Sequence, residues 1–288
     1  MAQLQVLDAI SLPGSAERAN EDAYGSTGTI AFVLDGVTGL ADTPVLPGKS
    51  DAAWVSAAAR ELFEEHGAGR AGDLRGLVRI VAEGIVRRFE RERLREPGER
   101  YELPWTTLSI IGIAGDTLHI AYLGDSRVLV ETADGVVHNL GMYKSRTPFE
   151  QKLALKVAAA QREKGGDIGA TARATVMPEL RRGRNLVNTP NGFWLLGADP
   201  EAAAHVGLTS LTLSGPATVL LATDGFYALT EDYGVLDDRG LITTALAKGF
   251  AGIGAELRRI ENDDPHGQRY PRMKKSDDAT ALLVRAVP

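Results

Sequence analysis

The chain has 288 residues and no cysteine, which excludes disulfides, thiolate zinc sites and cysteine nucleophiles. A formal net charge of -6 argues against a nucleic-acid partner, which calls for a basic stripe. The makeup, 44% apolar and 24% charged, is that of a globular protein, and with five histidines any bound metal must rest mainly on carboxylates, which favours magnesium, manganese or calcium over zinc.

The opening "MAQLQVLDAISLPG" has no basic region followed by an apolar run, so no secretory leader is expected. No apolar segment approaches the roughly 20 residues of a membrane helix, so the expectation is a cytoplasmic protein without a membrane partner. Residues 3 to 12 partly alternate and read as a strand, and "TIAFVLDG" is a more continuously apolar one that stops at Gly36. Ser50 and Asp51 are placed to cap a helix through "AAWVSAAARELFEEH". Asp73 caps a second, which ends before Pro97. The period then drops to two. "TTLSIIGIAG", "DTLHIAYLGDS" and "RVLVETADGVVHNL" read as a meander, with turns at Ala114-Gly115-Asp116, Gly124-Asp125-Ser126 and Ala133-Asp134-Gly135.

From about 142 to 190 the chain reads as an insert or flap, with one helix, "PFEQKLALKVAAAQREK", and then a tract rich in glycine, arginine and threonine. Within it, "MPELRRGRN" is either a solvated basic loop or a guanidinium patch. Strands resume at "GFWLLG", "VGLTSLTLSG" and "ATVLLATDG", two short helices follow around Leu241 to Lys248 and Gly254 to Glu261, and "DDATALLVRAVP" closes as a strand. Strands at both ends with helix pairs between them predict an α+β protein. Two antiparallel sheets pack together under helices, in a single domain spanning 1–288. No long apolar face or heptad is left over, so a monomer is expected.

The chemistry lies in where the acids fall. Asp35 ends "AFVLDG", Asp125 ends "AYLGDS", Asp224 ends "VLLATDG", and Asp277 with Asp278 precedes "ATALLV". Antiparallel strands can bring these ends to one rim, where Glu21 and Asp22 of "NED" join them. A lone Asp-Gly after a strand is ordinarily a turn, and "ADG" at 133–135 is read as one. Several acids converging cost several kcal/mol in repulsion and desolvation unless a cation sits among them. No lysine or arginine stands beside each acid in sequence, so a divalent metal is the economical reading.

"NED", "LDG", "GDSR", "ATDG" and "SDDAT", in this order, resemble the protein phosphatase 2C family of metal-dependent serine/threonine phosphatases. The resemblance implies a four-layer α-β-β-α sandwich that binds two, often three, manganese or magnesium ions (Mn2+ or Mg2+) at one end. It implies Asp35 as the bridging carboxylate and Gly36 as a carbonyl ligand. Glu21 and Asp22 are implied beside the second site, Asp224 and Asp277 at the first, and Asp125 at a third. Asp278 stands where many members have asparagine. The implied activity is hydrolysis of phosphoserine or phosphothreonine on a phosphorylated protein substrate by metal-activated water. A small phosphoester substrate, or a non-catalytic binding module, is the alternative. Where many members carry a phosphate-gripping arginine this chain has Glu17. Arg18, one residue closer, is the candidate, with a solvated surface charge as its bland counterpart. Val37 stands where some members have a histidine general acid.

Overall fold

A strand that is apolar on both faces must be covered on both sides, and several here are. Along Ile30–Asp35, Ala31 and Val33 point into one buried cluster and Ile30, Phe32 and Leu34 into another. Along Ala217–Ala222, Val219 and Leu221 join the first cluster while Leu220 and Ala222 join a third. The shared cluster lies between two sheets, and the others lie beneath helices. The computed structural model describes residues 2–141, 148–164 and 174–288.

The strands are β1 (Gln3–Leu12), β2 (Asp22–Ser26), β3 (Ile30–Asp35), β4 (Trp105–Thr106), β5 (Leu108–Ala114), β6 (Thr117–Leu123), β7 (Arg127–Glu131), β8 (Val137–Leu140), β9 (Leu196–Gly197), β10 (Gly207–Thr212), β11 (Ala217–Ala222) and β12 (Ala279–Val287). One five-stranded sheet runs β1-β12-β11-β7-β8 and the other β10-β6-β5-β3-β2, with every pairing antiparallel. The helices α1 (Asp51–His66) and α2 (Leu74–Glu92) cover the second sheet, through Val55, Phe63, Leu77 and Ile85. Two later helices, α5 (Asp224–Glu231) and α6 (Asp238–Asp263), cover the first through Phe226, Leu241, Phe250 and Leu257. This is the expected α-β-β-α sandwich.

The expected caps divide in two. Ser50 caps α1 by accepting from Ala53 N, and Asp73 caps α2 by accepting from Gly76 N. Asp51 instead turns back to accept from Val45 N and Leu46 N, both at 3.0 Å. The meander is corrected too. The chain pairs β5 with β6 in one sheet and β7 with β8 in the other, so Gly124-Asp125-Ser126 is a passage between sheets and not a hairpin. Gly124 makes the sharp exit at φ 85. The two short helices predicted after β11 are the halves of α6, broken at Gly249 (φ 72, ψ 170). There Asp8, at a bulge in β1, donates no proton but accepts one from Phe250 N at 2.6 Å, capping the second half from another layer.

The expected helix at 148–164 is present as α3 (Pro148–Lys164). "MPELRRGR" is a helix, α4 (Met177–Arg184), where a loop was expected. Pro178 suits its first turn, and its arginines find partners instead of water. Arg181 donates to Leu40 O and Asp42 and lies over the Tyr101 ring, and Arg184 reaches Thr38 O. Leu153, Val157 and Val176 form a small core of their own with Leu180 and Met273 at its edge. No helix among the described residues is long and apolar enough to cross a membrane.

Candidate metal centre

The edge strand β2 pairs with β3 so that Asp22 stands directly opposite Asp35, two like charges in a position that normally destabilises a sheet. The next residue, Gly36, is gripped on both sides. Its N–H donates to Glu21 O at 3.0 Å, and a Cβ here would lie 2.4 Å from that oxygen and 2.8 Å from Ala52 O. Only glycine lets the "DG" corner sit against α1. Asp224 opens α5 immediately after β11, and Asp277 and Asp278 precede β12, the strand beside it.

Asp22, Asp35, Asp224, Asp277 and Asp278 lie close enough for their charges to interact. Burial pushes the Asp35 carboxyl well above the usual carboxylate range, and the charges of Asp224, Asp22 and Asp277 push it further. Asp224 is within hydrogen-bonding reach of it, an arrangement two carboxylates tolerate only with a proton or cation between them. Burial also raises Asp22, against hydrogen bonds from Thr280 and Thr223, with the charges of Asp278 and Asp277 adding to the rise. Thr223 Oγ1 donates to Asp22 Oδ2 at 2.9 Å, while Asp22 Oδ1 is buried with no partner. A buried carboxylate oxygen without a hydrogen-bond partner, on a residue raised by neighbouring acids, is a donor that suits a hard cation.

Other acids are held by the protein. Glu21 accepts from Thr38 Oγ1 and Ser50 Oγ, each at 2.5 Å. Asp278 accepts from Gly14 N and Glu21 N, each at 2.7 Å, so it clips the first loop to the last strand. Asp277 Oδ1 accepts from Lys274 Nζ at 2.6 Å, which corrects the expectation that no basic side chain attends these acids. No group of three or more histidines, aspartates or glutamates among the described residues is already arranged to hold a metal. The donor chemistry fits a divalent ion, but the side chains must exchange those partners for it.

Two hollows open on this rim. One of about 190 Å³ is walled by Asp125, Asp224, Asp277, Glu231, Arg272 and Lys274. The other, about 280 Å³, is walled by Arg18, Glu21, Thr38 and Lys275 and shares Met273, Lys274 and Asp277 with the first. Asp125 and Arg18 thus belong to the same cleft, on opposite sides of Asp277. Val37 packs with Trp105, Val187 and Leu195. Thr107 Oγ1 bonds Ser126 Oγ at 2.7 Å and Thr107 N donates to Asp35 O at 2.8 Å, so this threonine stitches the passage at Asp125 to β3. Sequence reasoning missed Lys274, Thr38 and Thr223. The first left a trace, a lysine three residues before Asp277 in a segment without helical pattern.

A model of the family described as Protein phosphatase 2C matches residues 15–245. Among solved structures, the Mycobacterium tuberculosis serine/threonine phosphatase PstP/Ppp aligns with a TM-score of 0.57 at 17% identity, covering 99% of each chain. The catalytic domain of PstP in complex with 2 manganese ions aligns at 0.55 and 18% identity over 100% of both chains. PppA, a key regulatory component of T6SS in Pseudomonas aeruginosa, aligns at 0.57 and 18% identity, over 98% of this chain and 97% of its own. At such identities the likeness is one of fold. No curated protein matches the chain in sequence.

Proposed function

We propose, from the premise that this chain belongs to the protein phosphatase 2C family, that it hydrolyses phosphoserine and phosphothreonine on proteins using manganese or magnesium. The observation that carries this reading is the convergence of Asp22, Asp35, Asp224 and Asp277, whose charges raise one another's proton affinity at Asp22 and Asp35 even with Lys274 beside Asp277. Asp35, Asp224, Asp277 and the Gly36 carbonyl would hold the principal ions, with Glu21, Asp22 and Asp125 beside them. The manganese in the PstP catalytic domain supports the choice of ion. Such ions supply an activated water and positive charge against the phosphoryl oxygens.

The chain's own residues prepare the place. Thr223 pins one oxygen of Asp22, so the other points where its charge is needed. Asp278 keeps Glu21 in register with β12, and Thr38 and Ser50 fix the Glu21 carboxylate. With no cysteine in the chain, no cysteinyl-phosphate intermediate can form. We read residues 1–288 as one catalytic domain with an insert at about 142–190, whose Ala154 reaches the rim of the first hollow. Hydrolysis of p-nitrophenyl phosphate and of phosphopeptides is expected with manganese and not with excess chelator, and Asp224→Ala should abolish it without unfolding the protein. Equal rates with and without chelator would remove the reading.

A further inference from the structure

A cleft lined by acids needs a cation of the protein's own to seat a phosphate dianion, and four stand near it. Arg272 is already committed. Its five N–H donors reach Lys275 O, Asp264 Oδ2, Tyr270 O, Glu261 O and Asp264 O, so none is left for a ligand. Arg18 and Lys275 wall only the outer hollow, and Arg18 is exposed, with no hydrogen bond or ion pair among the described residues. Lys274 alone of the lysines walls both hollows. Its Nζ lies 2.6 Å from Asp277 Oδ1 and 3.1 Å from Thr38 Oγ1, the hydroxyl that donates to Glu21.

We propose that Lys274 is the phosphate-positioning cation of this cleft and, before substrate arrives, its tethered counter-ion; the inference rests on the hydrolase reading above. The backbone on both sides of Lys274 is fixed by Arg272, through Tyr270 O and Lys275 O, while the four-carbon stem lets the ammonium swing without moving the chain. Were a divalent ion held at Asp277, the Lys274 ammonium would lose its attraction there and be released for another anion. Lys274 already walls the outer hollow, where with Arg18 and Lys275 it would draw a phosphate dianion whose charge offsets the repulsion among the three cations. Ion loading and phosphate binding are thereby coupled through one side chain.

Calorimetry on the full-length wild type, Lys274→Gln and Lys274→Arg tests this, with manganese titrated into metal-free protein and inorganic phosphate into manganese-loaded protein. Lys274→Gln is expected to take manganese at least threefold more tightly, because a competing cation has gone. It should bind phosphate at least tenfold more weakly, about 1.4 kcal/mol. Lys274→Arg should recover most of the phosphate affinity, and in turnover the Gln variant should raise KM by more than it lowers kcat. Unchanged phosphate affinity in Lys274→Gln, with thermal melting as the control for folding, overturns the positioning role. Weaker manganese binding overturns the counter-ion role. If wild type binds both ligands yet turns over no phosphoester, the hydrolase reading fails, while the assignment of Lys274 still stands or falls on the phosphate titration.

Discussion

Asp264 and Asp35 are the same side chain in two kinds of surroundings. Asp264 closes the loop before β12. It accepts from Gln268 N and Arg269 N with one oxygen and from Tyr270 N and Arg272 Nη1 with the other. Burial alone would raise its pKa, but hydrogen bonds from Tyr270, Arg269, Arg272 and Gln268 outweigh that and hold it below the usual carboxylate range. Asp35 has burial without those donors and three acids for neighbours, and its pKa goes up. A carboxylate supplied with donors builds structure. One deprived of them and surrounded by its own kind stores a demand for positive charge. The fold links the two, because the loop closed by Asp264 carries Asp277, whose charge reaches Asp35.

The sharpest break in that contrast is Asp35→Asn. Turnover with manganese should fall about a thousandfold, ~4 kcal/mol of barrier, while the metal-free variant should melt at a higher temperature than wild type at neutral pH. The pH dependence carries the same sign. Asp22 and Asp35 hold protons more tightly folded than unfolded, so the metal-free wild type gains stability from them as pH falls through their raised values toward the ordinary carboxylate range, and keeps it below that range. That gain is lost as pH rises through the raised values, and Asp35→Asn should flatten it. Melting curves of stripped protein at several pH values give the answer, and a lower metal-free stability in the variant would end the comparison.

Asp264→Ala tests the other side. It strands the buried Arg272 guanidinium and should cost about 3–5 kcal/mol in urea unfolding, with a larger loss at neutral pH than in acid, where Asp264 is protonated in both states. A cost under about 1 kcal/mol would mean the loop holds itself. The smallest effect is expected at Asp8→Ala, about 1 kcal/mol from the lost cap at Phe250. Urea unfolding with no change would make the break at Gly249 self-sufficient.

The layers were legible because burial writes itself into periodicity. β1, β3, β11 and β12 and helices α1 to α3 follow their apolar patterns closely. The misses are places where a partner decides. β2, "DAYGS", has no alternation of its own and is a strand because β3 pairs with it. α5 begins at Asp224, inside "ATVLLATDG", which reads as a strand, and runs on through "FYALTE", since Phe226 and Leu229 pack on the sheet below. The passage at Asp125 reads like a hairpin turn, because choosing between sheets is a tertiary matter. At the site, the recurrence of acids at strand ends was enough to gather them. What held each one, a hydroxyl for Glu21, a lysine for Asp277 and nothing for one oxygen of Asp22, depended on distances no spacing records.

β12 lies between β1 and β11, and Asp278 at its threshold fastens Glu21 across 257 positions of sequence. The rim of acids therefore cannot be assembled before β12 is in place. Without β12, β1 has no sheet partner and the two acids before β12 lose their station, so a nick in the loop just before it would loosen the rim together with the sheet.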